Sequence, residues 1–150
     1  MSKIRITKEF TFEMAHALFG YDGKCKNVHG HSYKLDVCVI GEPINDVKNP
    51  KFGMLIDFGD LKKIVKSEIV DVVDHAIMLN IKTPHKNLAK ELENSGHDIV
   101  EVDYQPTSEN MVSDFAKKIQ LKLPNGIKLH SLKLRETATA FAEWFAIDQD

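Results

Sequence analysis

Cysteine is scarce in this sequence: among 150 residues there are two, Cys25 and Cys38. That excludes a disulfide framework, and Cys38 sits in an apolar run where a buried thiol is the usual occupant. Long hydrophobic runs are also missing, so no stretch is suited to crossing a bilayer. The opening M-S-K-I-R-I-T-K-E-F alternates polar with apolar residues, where a signal peptide would carry a continuous apolar core. Charge of one sign is not in excess. The 20 Lys and Arg against 22 Asp and Glu leave a net charge of -2, which gives no broad positive field for a nucleic-acid backbone or an acidic membrane. Repeats, low-complexity tracts and interdomain linkers are absent as well. These absences predict a soluble protein of a reducing cytoplasm, with no nucleic-acid or membrane partner, that holds any anion locally. Composition is otherwise ordinary for one globular domain spanning residues 1–150, with 43% hydrophobic and 28% charged residues.

Periodicity supplies the elements. From Ile4 to His16 the even positions Ile4, Ile6, Phe10, Phe12 and Met14 are apolar, and polar residues fall between them, which is the signature of a half-buried strand. From His29 the odd positions Tyr33, Leu35, Val37 and Val39 repeat the pattern until Gly41 and Pro43. Residues 52–57 (F-G-M-L-I-D) predict a short third strand running into a helix whose apolar stripe is Leu61, Ile64, Val65, Ile69 and Val72. The polar stretch from Ile81 to Tyr104 reads as an elaboration with a short helix near Lys86 to Asn94. Thr107 is placed as an N-cap, with Glu109 in the first turn and Met111, Phe115, Ile119 and Leu123 as the buried stripe. A strand through Leu129, Leu132, Leu134 and Glu136 and an extended segment from Phe141 to Ile147 close the chain. The order predicts an α+β domain, a mostly antiparallel sheet with helices on one face.

The strand parities reach the histidines. His16 continues the even, apolar face of the first strand, and His29 and His31 share the odd, apolar face of the second. Three neutral imidazoles on an apolar face need partners for six ring nitrogens, and each buried unsatisfied group costs about 1–3 kcal/mol. A divalent metal resolves this, and tetrahedral zinc with three nitrogen ligands would keep one open position. The plainer account of a lone H-x-H is chance; the third histidine of matching facing argues for the metal.

Other residues carry chemistry beside a plainer reading. Cys25 lies in K-C-K, where the flanking lysines and a nearby metal would favour the thiolate; alone it reads as an inert surface cysteine. Asp74-His75 follows the helix directly and is either a capping pair or a proton relay. Glu136 shares parity with Leu132 and Leu134, so a carboxylate stands where a core side chain is expected. An ion pair with Arg135 is the plainer account, but adjacent strand residues point to opposite faces. A buried carboxylate awaiting a ligand with two adjacent N–H donors fits the position better.

The segments F-T-F-E-M-A-H, G-K-C-K-N-V-H-G-H-S-Y-K, L-I-D-F-G-D-L-K, V-D-H-A-I-M-L-N, P-T-S-E-N-M and L-R-E-T-A-T-A-F-A-E-W resemble, in order, the motifs of the 6-pyruvoyltetrahydropterin synthase superfamily. The spacing C-x-x-x-H-G-H and the ending E-T-A-T-A-F-A-E are similar to its bacterial, 6-carboxytetrahydropterin-forming branch of queuosine biosynthesis. The resemblance implies a tunnelling fold, a four-stranded antiparallel sheet with two helices on one face, assembled edge to edge into a homo-oligomer, often a hexamer, with active sites at subunit boundaries. It implies zinc on His16, His29 and His31, Cys25 as general base with Asp74 and His75, and Glu136 as the pterin anchor near Thr107, Ser108 and Glu109. The implied substrate is 7,8-dihydroneopterin triphosphate. The implied reaction is zinc-dependent release of triphosphate, with side-chain cleavage to acetaldehyde in the carboxy branch. Elimination to the pyruvoyl product is the rival activity, and a non-catalytic zinc- or pterin-binding module is the rival of another class.

Overall fold

Alternation in the first forty residues builds the centre of the molecule, and the computed structural model, which describes residues 2–150, realises it as one long ribbon. β1 (Ile4–His16) and β2 (His29–Gly41) pair antiparallel along their whole length, from Ile4 opposite Gly41 to His16 opposite His29. Side chains alternate across a strand, so Phe10, Phe12 and Met14 are buried beside Tyr33, Leu35, Val37 and Val39 while Glu9, Thr11, Glu13, Ser32 and Lys34 point the other way. β5 (Lys128–Thr137) adds antiparallel to β2, and β6 (Ala140–Phe145) antiparallel to β5. This is the expected four-stranded antiparallel sheet.

Two strands extend it. β3 (Ile77–Asn80) lies parallel to the end of β1, at Ala15 and His16, and β4 (Ile99–Val102) lies parallel to β3, giving six strands in the order β4-β3-β1-β2-β5-β6. The sheet is therefore mixed and wider than four strands. The polar stretch expected as an elaboration supplies β4 and a helix (His85–Asn94), and both pack on β3.

The third strand expected over residues 52–57 is not one. Gly53 adopts a positive φ of 85°, and only two backbone bonds, Gly53 N–H to Ile44 O and Ile44 N–H to Met54 O, tie this turn to its neighbour. Leu55 and Ile56 still enter the core, and Asp57 caps the next helix by accepting from Gly59 N–H at 2.7 Å.

That helix runs as α1 (Phe58–Val65), a π-helical turn (Lys66–Val70) and a last turn α2 (Asp71–Val73); the helices that follow are α3 (His85–Asn94) and α4 (Ser108–Gln120). The π turn corrects the predicted stripe. In a regular α-helix of 3.6 residues per turn, Val72 falls in line with Leu61. The wider i→i+5 closure rotates the chain less per residue and lines up Leu61, Val65, Ile69 and Val73 instead, leaving Val73 3% exposed and Val72 48% exposed.

α4 begins as expected, with Thr107 Oγ1 accepting from Asn110 N–H at 3.3 Å, and buries Met111, Phe115 and Ile119. Phe12 stacks on Tyr33 at 5.0 Å and meets the edge of Phe115 at 6.4 Å, joining sheet to helix. Both Leu129 and Leu132 are buried although their parities differ, because a bulge inserts His130 opposite the Cys38–Val39 step. No helix among the described residues is long and apolar enough to cross a membrane.

The π turn makes a pair of variants informative. Val73→Asp should destabilise by about 3 kcal/mol or more by burying a carboxyl group, whereas Val72→Asp should stay within about 0.5 kcal/mol. Equal shifts of the two urea midpoints would contradict the register.

Candidate metal centre and catalytic residues

The cross-strand register places His16 directly opposite His29 and sets His31 two residues further along the same face. Their nearest nitrogens lie within 4.8 Å of one another, the geometry of a three-imidazole metal site. Gly30 between the two β2 ligands keeps the ladder uncrowded, since a Cβ there would stand 3.3 Å from the Met14 carbonyl of β1.

Hydrogen bonds from outside the trio set its tautomers. His16 Nδ1–H donates to the Pro106 carbonyl and His29 Nδ1–H to the Asn27 carbonyl, each at 2.6 Å. A carbonyl only accepts, so both Nδ1 atoms carry protons, and the two Nε2 lone pairs face each other across 3.1 Å. His31 Nε2 is buried and has no hydrogen-bond partner. Two opposed lone pairs and one orphaned nitrogen fit a shared cation, which is the test that a metal at this point has to pass.

Glu136 enters this cluster from β5. It is the extra residue of a bulge between Arg135 and Thr137, a distortion that re-aims side chains, and its Oε1 lies 3.5 Å from His31 Nε2 and 3.7 Å from His16 Nε2. Arg135 donates to the Ala138 carbonyl and, among the described residues, makes no ion pair with Glu136. Glu136 also lines a small cleft of about 110 Å³ with Ser108, Glu109 and Ala140 to Ala142 at the start of α4. Ser108 Oγ is buried there without a partner, while the Thr107 hydroxyl already serves as the cap of α4.

Cys25 sits half-buried in a short 3-10 turn (Lys24–Lys26). Burial first, then Glu136 and last Cys25, push the Tyr33 hydroxyl far above its ordinary value. Tyr33, Glu136 and the trio form one neighbourhood, with the Tyr33 and His31 ring centroids 5.6 Å apart.

Asp74 and His75 stand at the corner between α2 and β3. His75 Nδ1–H reaches Asp74 Oδ1 at 3.0 Å, and the same oxygen accepts from Glu13 N–H at 2.9 Å. That backbone donor first, and His75 less, holds the Asp74 carboxyl below its usual range. His75 N–H donates to the Glu13 carbonyl at 2.6 Å, and its φ of 63° puts a non-glycine residue in the left-handed region. The His75 side chain is 76% exposed. It lines an open groove of about 300 Å³ with Glu13, Met14, Ala15, Gly30, His31 and Ser32, so the groove reaches His31 of the trio.

Three comparisons bear on this arrangement. The family model described as 6-pyruvoyl tetrahydropterin synthase matches residues 5–146. The chain belongs to the 6-pyruvoyl tetrahydropterin synthase family. A family member from Haemophilus influenzae named 6-carboxy-5,6,7,8-tetrahydropterin synthase is 38% identical over 141 residues, covering 93% of this chain and 97% of that relative. One of the same name from a Synechocystis species is 32% identical and covers 94% and 92%. Among solved structures, an uncharacterized protein from Wolinella succinogenes superposes with a TM-score of 0.80 at 21% identity over 97% of this chain and 99% of that one. The 6-pyruvoyl tetrahydropterin synthase of Caenorhabditis elegans gives 0.68 at 24% identity over 97% of both chains. These structures share the fold of the family.

The trio and Glu136 were visible as a parity pattern. The Pro106 and Asn27 carbonyls, the Glu13 backbone and the Tyr33 hydroxyl were not, because main-chain groups carry no sequence label and Tyr33 reads as one more core aromatic.

Burial, more than any other cause, lowers the proton affinity of His16 and His31 from the ordinary 6.5. In the unfolded chain these groups bind protons below that value while the folded chain resists them, so stability is fully present above pH 6.5 and is lost as pH falls below it. The metal-free protein should therefore show a Tm that declines between pH 7 and 5, and His16→Gln should flatten that decline. An equal slope in the variant would contradict the assignment.

Proposed function

We propose that this protein is a zinc-dependent lyase that converts 7,8-dihydroneopterin triphosphate and one water to 6-carboxy-5,6,7,8-tetrahydropterin, acetaldehyde and triphosphate, a step of queuosine biosynthesis in the cytoplasm. The observation that carries the reading is the convergence of three imidazoles, two of them oriented by carbonyls, beside Glu136. It is supported by full-length relatives that bear the carboxy-forming name.

His16, His29 and His31 would hold the zinc, which supplies Lewis acidity toward the hydroxyls of the substrate side chain. Glu136 lines the cleft at the start of α4, and its carboxylate suits the amino-pyrimidine edge of a pterin, two adjacent N–H donors met by two oxygens. Ser108 offers its unpartnered hydroxyl to the same ring, and Thr107 and Glu109 border it. Cys25 takes the side-chain proton as general base. Asp74 keeps the Nδ1 proton on His75, so Nε2 is the atom free to accept or return a proton at the groove.

We infer a homo-oligomer with active sites at subunit boundaries, in which Cys25 of one copy and His75 of another serve one cleft; a hexamer is the family expectation. The partners are a small pterin triphosphate and further copies of this chain.

Product identification by mass spectrometry after incubation with dihydroneopterin triphosphate tests the reaction. Acetaldehyde with a carboxypterin is expected; a pyruvoyl product would move the protein to the sister activity, and unchanged substrate would leave only a binding module. Cys25→Ala should fold and keep its zinc while turnover drops by about 100-fold or more, and loss of zinc in that variant would contradict the role given to the thiol. Glu136→Ala should weaken substrate binding with zinc retained, and an unaltered KM would count against the anchor. Reassembling mixtures of Cys25→Ala and His75→Ala chains should recover turnover that neither variant has, and a mixture as inactive as its parts would count against shared sites.

A further inference from the structure

We propose that Gln105 is a positioning residue for Cys25, whose side-chain amide ties the loop carrying the thiol to the segment that orients the metal site. The inference rests on the reading of Cys25 as the reacting base. Phe19 N–H donates to Gln105 Oε1 at 3.2 Å, and Gln105 Nε2–H donates back to the Phe19 carbonyl at 2.9 Å. The amide thus takes the place of a neighbouring strand for one residue of the loop between β1 and β2. Among the described residues, the other hydrogen bonds of residues 18–28 run within the loop or to His29. The Gln105 pair is the tie to a distant part of the chain. From Phe19 the path to the thiol is short, since the adjoining Leu18 N–H donates to the Cys25 carbonyl at 3.0 Å.

The other end of the clamp is rigid. The Gln105 carbonyl accepts from Thr107 N–H at 2.8 Å and from Asn110 Nδ2–H at 2.9 Å, which binds it to the first turn of α4. The next residue, Pro106, is buried, and its carbonyl holds His16 Nδ1–H at 2.6 Å. One three-residue segment therefore indexes the imidazole trio, the α4 cleft and, through Gln105, the Cys25 loop. The β3–α3–β4 extension supports the same loop, with the His85 ring edge-on to Phe19 at 5.3 Å and Ala17 buried against Leu79 and Ala89. Only glutamine offers both a donor and an acceptor at this length; asparagine is shorter, glutamate cannot donate when ionised, and methionine does neither.

The test uses the full-length zinc-loaded protein carrying Cys38→Ser, so that Cys25 is its one thiol, with Gln105→Met and, should that variant fold poorly, Gln105→Glu. Zinc content, amide exchange at Phe19, iodoacetamide alkylation of Cys25, and kcat and KM with dihydroneopterin triphosphate are compared with the parent. Zinc content and KM should stay within about twofold while kcat falls about 10- to 100-fold. Exchange at Phe19 and alkylation of Cys25 should each rise about threefold or more. A freed Phe19 amide with kcat still within about twofold of the parent would overturn the positioning role, as would unchanged exchange and alkylation. No turnover by the parent itself would overturn the functional reading alone, and exchange and alkylation would then decide the clamp.

Discussion

Everything at the site depends on the register of one antiparallel ladder. His16 meets His29 only because β1 and β2 pair from Ile4–Gly41 to the far end without a bulge. The side-chain period of a strand is two, so a slip of one residue would turn two of the three imidazoles to the opposite face. The same slip would expel Tyr33, Leu35, Val37 and Val39 from the core, where each is at most 1% exposed. Burying four such side chains is worth several kcal/mol in total. The hydrophobic effect along the middle of the ribbon thereby sets the position of polar ligands at its end. The histidines need no stabilising contribution of their own to be held in line.

At that end the architecture changes from apolar packing to main-chain hydrogen bonding. The Pro106 and Asn27 carbonyls orient two imidazoles, and the Glu13 backbone holds the Asp74–His75 pair. Backbone groups of ordered segments are good orienting devices because their own positions are already fixed by helix caps and strand pairing. Orientation of ligands by neighbours outside the coordination shell is general in metal sites. Here the neighbours come from two places, a loop and the approach to α4, so the site draws together segments remote in sequence.

Strand parity made much of this legible. It selected His16 from the seven histidines of the chain, placed it with His29 and His31, and marked Glu136 as a carboxylate facing inward. It failed where the backbone departs from a regular period. The π turn shifted the buried position from Val72 to Val73, and the stretch 52–57, apolar in composition, became a turn around Gly53. β3 and β4 escaped because each is only four residues long and has parallel partners, so neither shows a sustained alternation. The site residues absent from the sequence reading act through main-chain atoms, through the hydroxyl of a core aromatic, or through an amide that looks like any other polar surface group.

The left-handed backbone at His75 has an evolutionary consequence. Outside glycine, asparagine and aspartate, that conformation is disfavoured, by an amount on the order of 1 kcal/mol, and the corner between α2 and β3 requires it. Drift toward a more stable chain would therefore favour glycine or asparagine at this corner. The exposed imidazole sits at this corner at a cost in stability that a glycine there would remove.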